Sequence, residues 1–132
     1  MNPAKSSTIS FSGALHTPLV TSDPRGGWMP GLFRNVFGDP FDPKRFNKGN
    51  PFNRLKALLP VKDKPAFYLT IGDNDFPDLI EASAMFHNRL KQIGADSTLR
   101  IGPGRHYWDT WQQAIIPALE WLAPRLDPTC RK

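Results

Sequence analysis

The sequence contains a single cysteine, Cys130, close to the end of its 132 residues. One cysteine cannot form a disulfide within the chain, so we interpret it as a free thiol in a polar tail over residues 123–132 rather than as a nucleophile. Long apolar runs are also missing, and none approaches the length of about 20 residues that spans a bilayer. Repeats, low-complexity tracts and metal-ligand spacings are absent as well. We therefore expect no membrane partner, no bound metal and no cofactor.

The first seven residues lack the apolar core of a secretory signal peptide. If the chain is a piece of a longer protein, this absence says nothing about export, so the compartment stays open, with the cytoplasm as the default. The composition is 39 % hydrophobic and 22 % charged, which is typical of a soluble globular protein. We expect residues 1–132 to form one domain or part of one.

The formal net charge is +5, so binding to nucleic acid has to be considered. Phenylalanines stand between the basic residues of the middle segment, which superficially resembles a nucleic-acid-binding surface. Aspartates interrupt this segment, however, and the phenylalanines fall where short helices would bury them. We therefore favour a solvated face and expect no nucleic-acid partner. The basic residues concerned are Lys44, Arg45, Lys48, Arg54, Lys56, Lys62 and Lys64.

Two apolar segments each lead into a loop that carries a side chain suited to catalysis. Ala66 to Ile71 is an apolar run with little alternation, typical of a buried parallel strand, and Gly-Asp-Asn-Asp follows it. Ser97 to Ile101 is a second short strand, and the loop Gly-Pro-Gly-Arg-His after it ends in His106. Glycines let such a loop turn sharply, and open α/β sheets bind their ligands at the carboxyl ends of the strands.

The segment between these strands, Pro77 to Gly94, has an apolar stripe at helical spacing, a proline in its first turn and a glycine at its end. A strand, helix and strand with a right-handed crossover make the two strands parallel neighbours. Their tips then share one edge of the sheet, so we expect Asp75 and His106 to meet. A second amphipathic helix, Trp108 to Leu122, follows. The alternative is that His106 only caps or packs its loop.

Both loops resemble the last two catalytic segments of an enzyme family. Gly72-Asp73-Asn74-Asp75-Phe76, and Gly104-Arg105-His106-Tyr107-Trp108 with Trp111 one turn later, are similar to segments of one branch of the α/β-hydrolases. That branch includes esterase D-like, feruloyl esterase-like and enterochelin esterase-like enzymes. The resemblance extends to most of the chain and implies an α/β fold, the C-terminal part of an α/β-hydrolase, with about three parallel strands and flanking helices.

The resemblance also implies roles for individual residues. The spacing Gly-x-x-Asp selects Asp75 as the orienting acid of a Ser-Asp-His triad, and Gly-x-His-x-Trp-x-x-Trp selects His106 as its base. Asp73 then becomes a turn residue, Asp78 a charge in the first helical turn, and the tryptophans dock the histidine loop. The implied function is hydrolysis of a small-molecule carboxylic ester. Acyl, feruloyl, sugar and thioester substrates all remain open.

Gly-x-Ser-x-Gly, the nucleophile elbow of this fold, is missing from the chain. Ser10 and Ser12 come nearest, but Phe11 stands where a small residue is needed, and no helix follows. The resemblance implies that the nucleophile and the oxyanion-hole amides lie upstream of Met1. We therefore expect the chain to be inactive on its own.

The first predicted strand, Ser7 to Ser12, would present an unpaired edge at Ile9 and Phe11 if its neighbour in the fold is missing. We expect the chain to associate with the complementary N-terminal half or to form a homodimer. The alternative function is that of a self-standing, non-catalytic α/β-hydrolase-like protein that acts as a dimeric or binding module.

Residues 15–50 are rich in glycine, proline, aspartate and asparagine, which predicts a loop-rich excursion with short helical turns, one of them near Leu32 to Phe37. Trp28, Met29, Leu32 and Phe33 either line an acyl or aromatic subsite or pack onto the core. His16 is expected near the sheet edge. Asn50-Pro51 predicts the start of a helix that ends at Pro60.

Overall fold

Among the residues that the structure describes, three parallel strands form a sheet whose middle strand is buried. A computed structural model describes residues 6–25, 29 and 31–126. In this part of the chain the strand order is β1-β2-β3, and both pairs are parallel. This is the α/β arrangement expected from the sequence. The strands are β1 (Ser7–Phe11), β2 (Ala66–Gly72) and β3 (Ser97–Gly102).

Strand β2 is apolar apart from Thr70, because it is covered on both faces and paired on both edges. Six of its seven residues are buried, the exception being the half-buried Phe67. Its register places Gly72 beside Gly102 of β3, so the two strands end at the same level. The loops that follow both strands therefore start side by side.

Helix α4 (Pro77–Gln92) connects β2 to β3, as the apolar stripe predicts, and it ends two residues before the predicted Gly94. Pro77 occupies the first turn, where its missing N–H leaves no hydrogen bond unmade. Gly94 follows the helix with φ +75°, a left-handed conformation that glycine adopts without strain. The buried face of the helix carries Leu79, Ala82, Ser83, Phe86 and Leu90.

Helix α5 (Trp108–Leu126) runs four residues past its predicted end. The helix therefore includes residues 123–126, the first four of the segment predicted to be a polar tail. The guanidinium of Arg125 holds the last turn, since it stacks on the Trp121 ring at 3.9 Å and lies 3.1 Å from the Asp96 carboxylate. Residues 127–132, with Cys130, lie outside the described residues.

The described part of the excursion over residues 15–50 contains two short helices, and a third follows directly. Two side chains start helices by accepting backbone N–H bonds: Asp42 from Lys44 and Arg45, and Asn50 from Phe52. The predicted single helix to Pro60 is a short α-helix continued by a 3₁₀ turn over Leu55–Leu58. The α-helices are α1 (Arg34–Phe37), α2 (Pro43–Gly49) and α3 (Pro51–Arg54).

The phenylalanines of the excursion form an aromatic cluster of their own. Phe33, Phe37 and Phe41 surround the buried Phe46, with ring centroids 4.8–5.8 Å from it. Phe33 therefore packs within the excursion rather than onto the core of the sheet, while Trp28 lies outside the described residues. None of the helices in residues 34–126 is both long and apolar enough to cross a membrane.

Candidate active site

The tips of β2 and β3 are joined by backbone hydrogen bonds. The Asp73 N–H donates to the Gly102 carbonyl at 2.7 Å, and the Asn74 N–H donates to the Gly104 carbonyl at 2.8 Å. A Cβ on Gly72 would collide with the Gly104 carbonyl, so a glycine is needed where the two loops cross. The crossing brings the side chains of the following residues into one small volume.

Asp75 sits at this crossing with no solvent exposure of its carboxylate. Oδ1 accepts a hydrogen bond from the Phe76 N–H at 2.7 Å, and Oδ2 accepts one from the Ser12 hydroxyl at 2.7 Å. His106 Nδ1 lies 2.9 Å from Oδ1 and 3.2 Å from Oδ2. A buried carboxylate needs such partners, because removing its charge from water without them is costly.

The loop that carries His106 is shaped by hydrogen bonds within it and to the neighbouring loop. The Gly104 N–H donates to the Asp73 carboxylate at 3.0 Å, and the Arg105 N–H donates to the Thr110 hydroxyl at 3.0 Å. Gly104 has φ +141°, and a Cβ there would collide with Thr110. Hydrogen bonds to the β2 loop and to the start of α5 therefore fix the backbone of this loop, which limits the positions that the imidazole can take.

Two aromatic rings hold the imidazole of His106. The Phe76 ring lies 5.2 Å from it, and the Trp111 ring meets it edge-on, also at 5.2 Å between centroids. The side chain remains 35 % exposed. Asp75 and His106 are thus brought together, as the crossover topology predicts. Trp111 contacts the imidazole, whereas Trp108 is 62 % exposed and contacts Trp111.

This arrangement can set the tautomer of the imidazole. Because a carboxylate only accepts, the hydrogen bond to Asp75 requires the proton on Nδ1. The hydrogen bonds that the described residues make to the ring all involve Nδ1. The other nitrogen, Nε2, then carries a lone pair that can take a proton from a hydroxyl group placed next to it.

Ser12 is a part of this site that the sequence did not single out as such. It is 5 % exposed and has φ +45°, and its hydroxyl contacts Asp75 and the Trp111 Nε1 rather than the imidazole. A serine before a glycine at the end of a strand was the available signal.

A second polar cluster lies behind the site. Arg25 is 5 % exposed, stacks over the Phe76 ring at 5.3 Å and lies 3.0 Å from the Asp78 carboxylate. His16 lies 3.7 Å from the same carboxylate, at the wall of a groove of about 320 Å³. Burial, followed by the charge of Arg25, lowers the pKa of His16. Arg25 thus connects this cluster to Phe76, whose ring contacts the imidazole of His106.

Known proteins with related sequences and folds are hydrolases. A scan against protein-family profiles finds no match. An acetyl esterase from Caldicellulosiruptor saccharolyticus is 30 % identical over 93 residues, which is 69 % of this chain and 34 % of the esterase. The chain thus spans about a third of that curated relative.

Solved structures with the same fold include three such enzymes. A ferulic acid esterase is 20 % identical, with a TM-score of 0.53 over 91 % of this chain and 42 % of its own. The fluorophosphonate-binding serine hydrolase F of Staphylococcus aureus is 20 % identical, with a TM-score of 0.52 over 89 % and 44 %. An S-formylglutathione hydrolase from the same organism is 22 % identical, with a TM-score of 0.55 over 90 % and 41 %.

These structural likenesses show the fold, and they cover less than half of each solved chain. The sequence similarity to the acetyl esterase agrees with this assignment of the fold. This chain has the fold of the esterase-like α/β-hydrolases to which it is similar, and it spans a part of that fold.

Proposed function

We propose that this chain carries the acid and the base of a Ser-Asp-His triad in a carboxylic ester hydrolase. Asp75 is the orienting acid and His106 the general base. The observation that supports this most directly is the 2.9 Å contact between His106 Nδ1 and the fully buried Asp75 carboxylate, at the carboxyl edge of a parallel sheet. The order of acid before histidine along the chain is that of the α/β-hydrolase triad.

In this mechanism His106 Nε2 takes the proton of a serine hydroxyl while the serine oxygen bonds to the carbonyl carbon of the ester. The Nδ1 proton stays hydrogen-bonded to Asp75, whose negative charge stabilises the imidazolium that forms. The imidazolium then returns its proton to the departing alcohol as the carbon–oxygen bond breaks. Water repeats the two steps on the acyl-enzyme and releases the acid.

The nucleophilic serine is proposed to come from outside this chain. The chain has no Gly-x-Ser-x-Gly, and the hydroxyl of Ser12, the serine that contacts Asp75, is already engaged by that carboxylate and by Trp111. A serine in that position cannot also donate to His106 Nε2. The chain is then inactive as a serine esterase until a complementary part supplies the nucleophile.

The substrate class is proposed to be a small-molecule carboxylic ester or thioester. The names of the related proteins refer to acetyl, feruloyl and S-formyl groups. The proposal therefore does not specify which acyl group the substrate carries. This range fits a triad whose chemistry acts on the carbonyl carbon and leaves the choice of acyl group to surrounding loops.

The test combines intact mass after a fluorophosphonate probe with hydrolysis of p-nitrophenyl acetate. The full chain, His106→Ala, Asp75→Asn and the control His87→Ala are compared. His87 is a suitable control because it lies on α4 and contacts Ser97 rather than the site. We expect no probe adduct and only weak ester hydrolysis, at most about 10²-fold above background, which His106→Ala abolishes and His87→Ala leaves unchanged.

Two results would contradict the proposal. A probe adduct on a serine of this chain, lost in His106→Ala, would show that the nucleophile lies within these residues. Ester hydrolysis equal in the wild type and in His106→Ala would remove the role of His106 as a base.

A further inference from the structure

We propose that Ser12 and Trp111 form a hydrogen-bonded relay that positions the Asp75 carboxylate, and through it the tautomer of His106. The inference rests on the proposed roles of Asp75 and His106, and it assigns two positioning residues to their site. Neither residue would touch the substrate. Their effect would reach the reaction only through the acid and the base.

The direction of every hydrogen bond in the relay follows from the chemistry of the groups. An indole N–H can only donate, so the 3.0 Å contact between Trp111 Nε1 and Ser12 Oγ makes the hydroxyl the acceptor. A carboxylate can only accept, so the hydroxyl proton points to Asp75 Oδ2 at 2.7 Å. The relay therefore has one arrangement of protons and no alternative one.

The relay binds the oxygen of the Asp75 carboxylate that lies farther from His106 Nδ1. The Phe76 N–H and His106 Nδ1 lie at 2.7 and 2.9 Å from Oδ1. Ser12 occupies Oδ2, so both oxygens are held and the carboxylate cannot rotate freely about its Cβ–Cγ bond. Trp111 also packs edge-on against the imidazole, so one side chain supports the acid and the base together.

The backbone of Ser12 indicates that its side chain is needed. Its φ of +45° lies in the left-handed region, where glycine is at ease and a side chain is strained. Ser12 keeps this strained conformation at a buried position, where its N–H donates to the Thr70 carbonyl at 2.8 Å. Gly13 follows, and a Cβ there would collide with Ser10. The chain thus turns sharply at Ser12 and points its hydroxyl at the acid.

The test measures the tautomer of His106 directly by ¹⁵N and ¹H NMR of the full chain, with no ester substrate. Ser12→Gly removes the hydroxyl and also relieves the left-handed strain, which offsets part of the stability lost with the two hydrogen bonds. Ser12→Ala keeps the strain and loses the hydroxyl. Trp111→Phe removes the donor and keeps a ring, and Trp121→Phe is its matched control, since its Nε1 donates to Thr98 away from the site.

We expect the wild type to show a slowly exchanging Nδ1 proton on His106. In Ser12→Gly, Ser12→Ala and Trp111→Phe, exchange of this proton with water should accelerate about tenfold, the effect of losing one hydrogen bond to a charged group. Trp121→Phe should match the wild type. Asp75→Asn serves as the positive control, because its amide NH₂ can donate to Nδ1 and favour the tautomer protonated on Nε2, which should abolish the slow exchange.

The outcomes separate the relay from the triad roles. If Ser12→Gly and Trp111→Phe leave the Nδ1 proton unchanged while Asp75→Asn alters it, the relay is wrong and the acid–histidine pair stands. If Asp75→Asn also leaves the exchange of the Nδ1 proton unchanged, the Asp75–His106 pair is wrong. The relay, which rests on that pair, is then wrong as well.

Discussion

The three histidines of the chain lie in different environments. The side chain of His16 is 4 % exposed, and its Nε2 has no hydrogen-bond partner among the described residues. His87 is partly buried and contacts the Ser97 hydroxyl. Burial is the main cause that lowers the pKa of both, with the charge of Arg25 adding to it for His16 and that of Lys91 for His87. Such groups resist protonation in the folded protein.

His16 should make the stability of the protein depend on pH. An unfolded histidine takes up a proton near pH ~6.5, while folded His16 takes it up only at lower pH. The contribution of this group to stability is therefore complete above pH ~6.5 and falls as the pH drops from there towards the lower folded pKa. Urea unfolding between about pH 7 and 5.5 should show a smaller loss of unfolding free energy for His16→Gln than for the wild type.

The control for this experiment is His87→Gln. It keeps His16 and should retain most of the slope that His16→Gln removes. Asp78 and Asp23 raise the pKa of His16 and so oppose the burial, but they are present in both variants. An identical pH slope in the wild type and in His16→Gln would show that His16 titrates alike in the folded and unfolded chain.

Among the structural elements, the crossing of the β2 and β3 tips is the most sensitive to volume. A Cβ on Gly72 meets the backbone of Gly104, which cannot give way as a flexible side chain can. We expect Gly72→Ala to lower the unfolding free energy by about 1–3 kcal/mol and to separate Asp75 from His106, because the loop that carries the histidine must move. Urea denaturation and the His106 ring resonances measure the two effects.

The matched control is Gly102→Ala at the partner position of the register. A Cβ on Gly102 meets no atom within 4 Å, and Gly102 pairs with Gly72 across the two strands. This variant should change the unfolding free energy by no more than about 0.5 kcal/mol. Equal losses for both glycines would mean that the close approach at Gly72 is not what requires a glycine there.

Elements with a strong periodic or chemical pattern were predictable from the sequence. The apolar run of β2 and the stripe of α4 specify a parallel unit, which places Asp75 and His106 at one edge. The end of α5 was not predictable, because Pro124 suggests a stop, and the contacts that hold the last turn come from Asp96 on a distant segment. The α2 start was readable in Asp42-Pro43, but it lay in a segment interpreted as mostly loop.

The site was predictable only in part, because some of its contacts join segments that are far apart in the sequence. The sequence identifies residue types at the tips of strands, so it can place an acid and a histidine together. It cannot show that Ser12 turns into the left-handed region or that Trp111, 99 positions away, reaches its hydroxyl. Such contacts depend on the docking of α5 against β1, which no local pattern encodes.

At the scale of the whole molecule, both outer strands of the sheet have one edge without a partner strand among the described residues. Among the described strands, β1 pairs only with β2. Beside β1 lies an apolar hollow of about 260 Å³, lined by Phe11, Trp108, Trp111 and Ile115. An unpaired strand edge next to an apolar surface favours association. We propose that a second copy of the chain covers this side of the sheet.

Trp108 offers a way to test this association, because it is 62 % exposed and its substitution leaves the core intact. Trp108→Lys places a charge in the hollow, where burial against a partner would cost its hydration. By analytical ultracentrifugation, we expect the wild type to associate as its concentration rises and Trp108→Lys to remain monomeric. Leu19→Lys is the matched control, since Leu19 is 69 % exposed and lines a different groove on the excursion.

The thermal transition of the wild type should follow its association, with a midpoint that rises with protein concentration, since a partner that binds the folded chain stabilises it by mass action. The midpoint of Trp108→Lys should not depend on concentration. A wild-type chain that stays monomeric and melts sharply at a midpoint independent of concentration would contradict the association. In that case the edge of β1 and the hollow beside it would be stable while exposed to water.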